Sequence, residues 1–365
     1  MERGTGRSPA RKGWILASDD RWMERLRLEL AWFTGQHRLR GRSAGGAGAI
    51  LRFQRVRPRG RAPFQPLLAS EITPKFLDRM LRALKRWKFD IVSMDEVCRR
   101  AVTLPARQRF VALTFDGAYK DLATFAYPVL SRHGVPFTVY VPTAFPDGVG
   151  EAWWLALEQV IARESRISLM MGEKEQRFVV TDRAEKQALF TLLEDWLRTL
   201  PPAELSAAIN DLCKRHRVDL AAVSREAWMD WSDLSKLAAD PLVTIGSATV
   251  NYAALATMKD TAASREMAMG KAVAESAFHR EIGHFAYPFG DRISFRRSHV
   301  VMAEEAGFAS AVSTIPGIVD VEGRTNLRAL PRISWDGRRR SLRMLRVLVS
   351  GVTFPPVKPT GSTSS

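Results

Sequence analysis

Residues 110–119, Phe-Val-Ala-Leu-Thr-Phe-Asp-Gly-Ala-Tyr, constrain the fold more than any other stretch of this chain. The run is mostly apolar and β-prone, so it reads as a buried strand, and it breaks at an acidic turn. Delivery of a carboxylate, Asp116, to the C-terminal end of such a strand is how an α/β barrel presents a catalytic acid.

The rest of the chain supports that architecture. Ile72-Thr-Pro74 opens a predicted helix over 76–88, and strand 90–92 follows. A helix over 121–132 leads to strand 137–141, one over 262–278 to strand 284–287, and one over 298–306 to strand 308–313. This alternation predicts parallel strands joined by crossover helices, an α/β fold of the distorted (β/α) barrel kind. A length of 365 residues and a hydrophobic fraction of 46% suit one such barrel. Residues 143–228 are richer in helical signals, near 153–163, 183–199 and 203–216, and read as a mainly helical insertion on the barrel. The expected organisation is a basic, partly disordered arm over 1–48, the barrel over 49–350 and a disordered tail over 351–365. Within the arm a short helix is expected from Asp20 to about Phe33. Its Trp22, Leu26, Leu30 and Phe33 would share one face, read as a packing surface.

Further stretches carry a family resemblance. Thr114-Phe-Asp-Gly-Ala-Tyr119 is similar to the Thr-Phe-Asp-Asp-Gly-Tyr motif of the polysaccharide deacetylases, the NodB-homology family. Trp231 to Leu255 resembles that family's helix, strand and His-Thr-x-x-His loop, and His284-Phe-Ala-Tyr-Pro-Phe-Gly290 its third motif. Together with Val135–Pro142, Trp153-Trp154, Ala306–Val312 and Leu330–Gly337, the resemblance spans roughly residues 50–350 in the family's order. It implies a NodB-type barrel and hydrolysis of N-acetyl groups on amino sugars, a reaction on carbon–nitrogen bonds other than peptide bonds.

By that resemblance Asp116 holds the position of the catalytic base and the main chain of Phe289 that of the oxyanion donor. Tyr119, Trp153, Trp154 and Tyr287 are candidates to contact a saccharide. The family would use a divalent metal such as zinc, bound at the positions that here carry Gly117, Ala248 and Tyr252. Glycine and alanine offer no donor, and tyrosine is no substitute for imidazole. Gln54 stands where the first strand often carries His, and no late general-acid His can be placed after Leu330-Pro-Arg332. No cofactor is therefore expected. The reading that follows is a catalytically degenerate deacetylase relative, a pseudoenzyme that binds an amino-sugar oligosaccharide or polysaccharide. The alternatives are an active carbon–nitrogen hydrolase with a relocated or absent metal, and an adaptor that works through its basic arm.

Charge is unevenly distributed. Residues 1–62 carry 15 Lys/Arg against 5 Asp/Glu, and residues 336–365 carry 6 against 1, whereas 63–335 hold 34 against 33. Net charges of +10 and +5 thus flank a frame of +1, which suits a polyanion or protein partner at the ends as well as simple solubility. Two distant cysteines, Cys98 and Cys213, supply neither a disulfide framework nor a CxxC site. With no apolar leader or membrane-spanning run in sight, a cytoplasmic location is expected.

Overall fold

The computed structural model describes residues 26–35, 48–103, 109–320 and 325–354. Among the described residues twelve strands follow one another: β1 Gly48–Phe53, β2 Arg55–Val56, β3 Glu71–Ile72, β4 Asp90–Val92, β5 Phe110–Asp116 and β6 Phe137–Val141. Then come β7 Arg166–Met171, β8 Lys174–Val179, β9 Val243–Ser247, β10 His284–Ala286, β11 Ser310–Val312 and β12 Ile333–Ser334. Eight of them form one parallel sheet in the order β11-β10-β9-β6-β5-β1-β12, with β4 along the first half of β5. Leu330, just before β12, bridges Val312 of β11 in parallel, so the sheet curls until its two edges nearly meet. This is the distorted (β/α) barrel that the alternation predicts.

Parallel strands inside such a barrel are covered on both faces, which is why β5 and β6 are buried at every position. Ile50, Phe110, Ala112, Tyr140, Ala248 and Val312 point into the barrel. There they meet Met94 and Val97 of helix Met94–Val102, and Arg100 of that helix lies over the Phe110 ring. Leu51, Leu113, Phe115, Val139 and Ile245 face outward to the surrounding helices, among them Pro74–Arg86 and Asp260–Phe278. Burying one such side chain contributes roughly 1.5–3 kcal/mol, so these two layers supply most of the driving force.

The observed elements depart from the expected ones in instructive places. Strands 90–92 and 137–141 coincide with expectation, and the helices at 74–86 and 260–278 begin two residues early. Residues 122–126 form a π-helical turn before helix Tyr127–His133, where a continuous helix over 121–132 was expected. The segment 143–228 holds helices Trp153–Arg163, Arg183–Leu197, Pro202–Arg215 and Leu220–Ala227 around its own apolar cluster, and also the β7–β8 hairpin. That hairpin turns on Gly172 at φ +64°, the left-handed geometry that two-residue turns require. In the arm, helix 26–33 is turned the other way from its expected packing face. Leu28 and Ala31 join the core, whereas Leu26, Leu30 and Phe33 stand in solvent; Trp22 lies outside the described residues.

Candidate functional site

Asp116 ends β5 inside the barrel mouth and is almost wholly buried. Both of its carboxylate oxygens are engaged by guanidinium groups. Arg332, fully buried, donates from Nη1 to Oδ1 at 2.6 Å and from Nη2 to Oδ2 at 2.9 Å. Arg52, near the end of β1, donates from Nε to Oδ2 at 2.5 Å. Arg332 is itself fixed by donation to the Ser313 carbonyl and to Thr114 Oγ1. Burial on its own would raise the Asp116 carboxyl, but Arg332 and then Arg52 outweigh it, and the group is held below the ordinary carboxylate range. A carboxylate so stabilised, with every oxygen already bonded to a cation, is a poor acceptor for a proton from water.

The positions that the resemblance assigns to metal binding do converge on this carboxylate. Gly117 directly follows β5 and Ala248 directly follows β9, and their amides donate to the carbonyls of Tyr140 and Val141 at the end of β6. Tyr252 lies against Arg52 and is held above its ordinary phenol range by burial and then by the Asp116 charge, so it presents a neutral hydroxyl. The residues present do not fit a divalent ion. Gly117 and Ala248 have no donor atom, Tyr252 is not ionised, and the Arg52 cation occupies the carboxylate beside them. Among the described residues no group of three or more His, Cys, Asp or Glu side chains is arranged to hold a metal.

The backbone around the site is strained. Ala118, Thr249, Tyr252 and Phe289 all have left-handed φ, between 52° and 65°, and lie in the loops that follow β5, β9 and β10. Such conformations cost on the order of 1–3 kcal/mol each and persist where surrounding structure over-determines them. Gly117 is more extreme at φ +105°, and a Cβ built there would lie 2.8 Å from the Tyr119 ring.

Aromatic rings roof the mouth. Tyr119 packs on Trp228 at 4.1 Å between centroids, takes the Arg55 guanidinium over its face at 4.9 Å and accepts a hydrogen bond from Trp154 Nε1 at 3.1 Å. Trp154 is half-buried, 5.9 Å from Tyr252. Trp153 is buried in the insertion's core and lies 6.2 Å from Phe289. Phe289, at the third motif, sits 5.3 Å from Tyr252 with Arg198 above its ring, and its carbonyl accepts from Thr314. Tyr287 is also buried; it stacks on Phe295 and donates its hydroxyl to the Arg328 carbonyl. The rings of Tyr119, Trp153 and Tyr287 are thus packed against protein in this conformation. Between the insertion and the barrel a cavity of about 330 Å³ opens beside Trp153, Tyr252 and Phe289, with Glu151, Arg198 and Asn251 on its walls.

Nearby, Asp121 accepts from Arg55 Nε at 2.6 Å and from the Val56 amide. Sequence reasoning missed Arg52 and Arg332. Their signal was a lone arginine in each of two otherwise apolar strand runs, Gly48–Phe53 and Leu330–Ile333, where a charge is tolerated only if it finds a buried partner.

No protein-family model matches this chain, and no curated protein matches it by sequence. Solved structures do. The Streptococcus pyogenes deacetylase PplD, determined in complex with acetate, superposes with a TM-score of 0.53 at 17% identity, over 82% of this chain and 97% of that one. IcaB from Ammonifex degensii gives 0.53 at 13% identity, over 84% and 99%. The deacetylase domain of BpsB from Bordetella bronchiseptica gives 0.50 at 16%, over 80% and 97%. The fold is that of the polysaccharide deacetylases, the NodB-type barrel.

Proposed function

We propose that this chain is a catalytically degenerate relative of the polysaccharide deacetylases that binds an amino-sugar oligosaccharide or polysaccharide without hydrolysing it. The observation that carries the reading is the state of Asp116. At the position of the family's base, a carboxylate is bonded through both oxygens to two arginines, and the neighbouring ligand positions carry Gly117, Ala248 and Tyr252. Amide hydrolysis needs an activated water, a group to take its proton and an acid for the leaving amine. Asp116 here neutralises buried cations instead.

Binding has a separate basis. The cavity beside Trp153, Tyr252 and Phe289 is large enough for about one sugar ring, and it combines aromatic edges with polar groups at Asn251, Glu151 and Arg198. Apolar sugar faces stack on such rings, while hydroxyls take up the polar groups. Tyr119 and Trp154 would support this wall, and the Phe289 main chain would mark its inner end.

Titration of the protein with N-acetylglucosamine oligomers, followed by calorimetry and by acetate release, tests both halves. Saturable binding that Asn251→Ala weakens, with no acetate released with or without added zinc, is the expected result. Acetate release above the uncatalysed rate would overturn the degenerate reading. No binding of acetylated or deacetylated oligomers would overturn the saccharide reading.

A further inference from the structure

The cavity beside Trp153, Tyr252 and Phe289 has two charged side chains on its walls, and their charges are in different states. Arg198 is already compensated. Its guanidinium donates to Asp291 and to Ser294 Oγ and lies over the Phe289 ring at 4.7 Å. Glu151 is bonded by neutral groups alone: its Oε1 accepts from Ser206 Oγ at 2.9 Å and from Asn210 Nδ2 at 2.8 Å. Among the described residues no Lys, Arg or His pairs with it, and its Oε2 accepts no hydrogen bond. Ser206 and Asn210 lie one turn apart on helix Pro202–Arg215, so the carboxylate is held in place against the insertion with its charge unmatched.

Asn251, on the same wall, has the same sense. Its amide nitrogen donates to Glu266 Oε1 at 2.6 Å, which leaves its carbonyl oxygen for a ligand. Glu151 Oε2 and Asn251 Oδ1 are thus two open acceptors, one of them anionic. The N-acetyl group of a sugar offers them a single N–H and a carbonyl oxygen that they repel. A free sugar amine offers an ammonium, with three donors and a positive charge.

The geometry points to a cavity that selects the free amine of a de-N-acetylated amino sugar, with Glu151 as the residue that sets this specificity. Such selection rests on the saccharide reading above and narrows its ligand to the cationic form. The chain's net charge of +16 favours a neutral oligomer over a cationic one, so a preference for the cation has to come from the cavity itself. A reaction that removes acetyl from nitrogen must supply this ligand, which places the chain after a working deacetylase rather than in place of one.

Calorimetric titration of the full chain with tetramers of glucosamine and of N-acetylglucosamine, at mildly acidic pH where the sugar amine is protonated, tests the selection. The glucosamine tetramer should bind at least about tenfold more tightly, the scale of one charge-assisted hydrogen bond. That ratio should shrink as pH rises and the amine loses its proton. Glu151→Gln keeps the shape of the side chain and an oxygen for Ser206 and Asn210; it should hold its melting temperature and bring the ratio to within about twofold. Equal binding of the two tetramers by the parent chain would overturn the selection and leave the saccharide reading standing. So would a preference that survives Glu151→Gln, or one that does not change with pH. Failure of both tetramers to bind would overturn the saccharide reading and the selection with it.

Discussion

The barrel mouth and helix 26–33 dispose their side chains in opposite ways. At the mouth, the charges around Asp116 are turned inward and matched: Arg52 and Arg332 hold one carboxylate, Arg55 holds Asp121, and aromatic rings roof the whole. On helix 26–33, by contrast, Leu26, Leu30 and Phe33 are turned outward beside an exposed Arg27. The strained loops at Ala118, Thr249, Tyr252 and Phe289 show that the mouth retains costly backbone geometry. Buried ion pairing is a different use of that geometry from proton transfer. The comparison teaches that buried charges in this molecule are matched by partners distant in sequence, whereas the exposed apolar side chains of Leu26, Leu30 and Phe33 cluster on one local helix.

The sharpest way to break this comparison is Asp116→Asn. A catalytic base that is free to titrate can usually be neutralised with little loss of stability. Here the substitution strands Arg332, fully buried, and Arg52 without their counter-charge. Removing one partner of a buried pair costs about 3–5 kcal/mol. Chemical denaturation should show a loss of that order, and a variant as stable as the parent would mean that the arginines do not depend on Asp116. The same linkage has a pH sense. Because the folded carboxyl is held low, its contribution is present above the ordinary carboxylate range and is lost as pH falls through the depressed value.

A second prediction addresses the loop frame. Gly117→Asp alone places a Cβ against the Tyr119 ring and a side chain at φ +105°, so a loss of roughly 2 kcal/mol is expected. Gly117→Asp, Ala248→His and Tyr252→His together should bind zinc at least about tenfold more tightly when Arg52→Ala is added, since a guanidinium on the neighbouring carboxylate repels a second cation. Equal zinc affinity with and without Arg52, read by competition with a chelator, would show that this cation does not control the site.

Much of the frame was legible in the sequence because it rests on local patterns. The apolar runs of β5 and β6 and the periodicity of helix Asp260–Phe278 each announce themselves within a few residues. What was not legible depends on partners distant in sequence. Arg332 meets Asp116 across 216 positions, and Arg52 meets it across 64, so neither pairing leaves a local signature. Helix 26–33 shows a related limit. With apolar residues on both of its faces, periodicity alone could not decide which face the core would take, and the burial of Leu28 and Ala31 decides it. The β7–β8 hairpin did carry a signal, alternation through Ile167 and Leu169 ahead of Gly172, but strongly helical neighbours masked it.

The smallest expected effect sharpens the comparison within the mouth itself, at Glu158 on helix Trp153–Arg163. Asp116 is held low by two arginines. Glu158 is pushed the other way, up to about 7, by burial first and then by the neighbouring charge of Glu71, against the opposing pull of Arg57 and Arg55. A carboxyl raised in the folded state binds a proton more tightly there than in the unfolded chain. Its contribution to stability is therefore fully present at acidic pH and is lost as pH rises from the ordinary carboxylate range to about 7, with no further change above that. Glu158→Gln cannot ionise and escapes the loss. Because the side chain is only partly buried, solvent screening reduces the effect to about 1 kcal/mol. The glutamine variant should therefore melt about 2 °C above the parent at pH 8 and together with it at pH 4. A melting difference that is the same at both pH values would mean that Glu158 ionises freely, and that this part of the mouth is as open to water as the exposed face of helix 26–33.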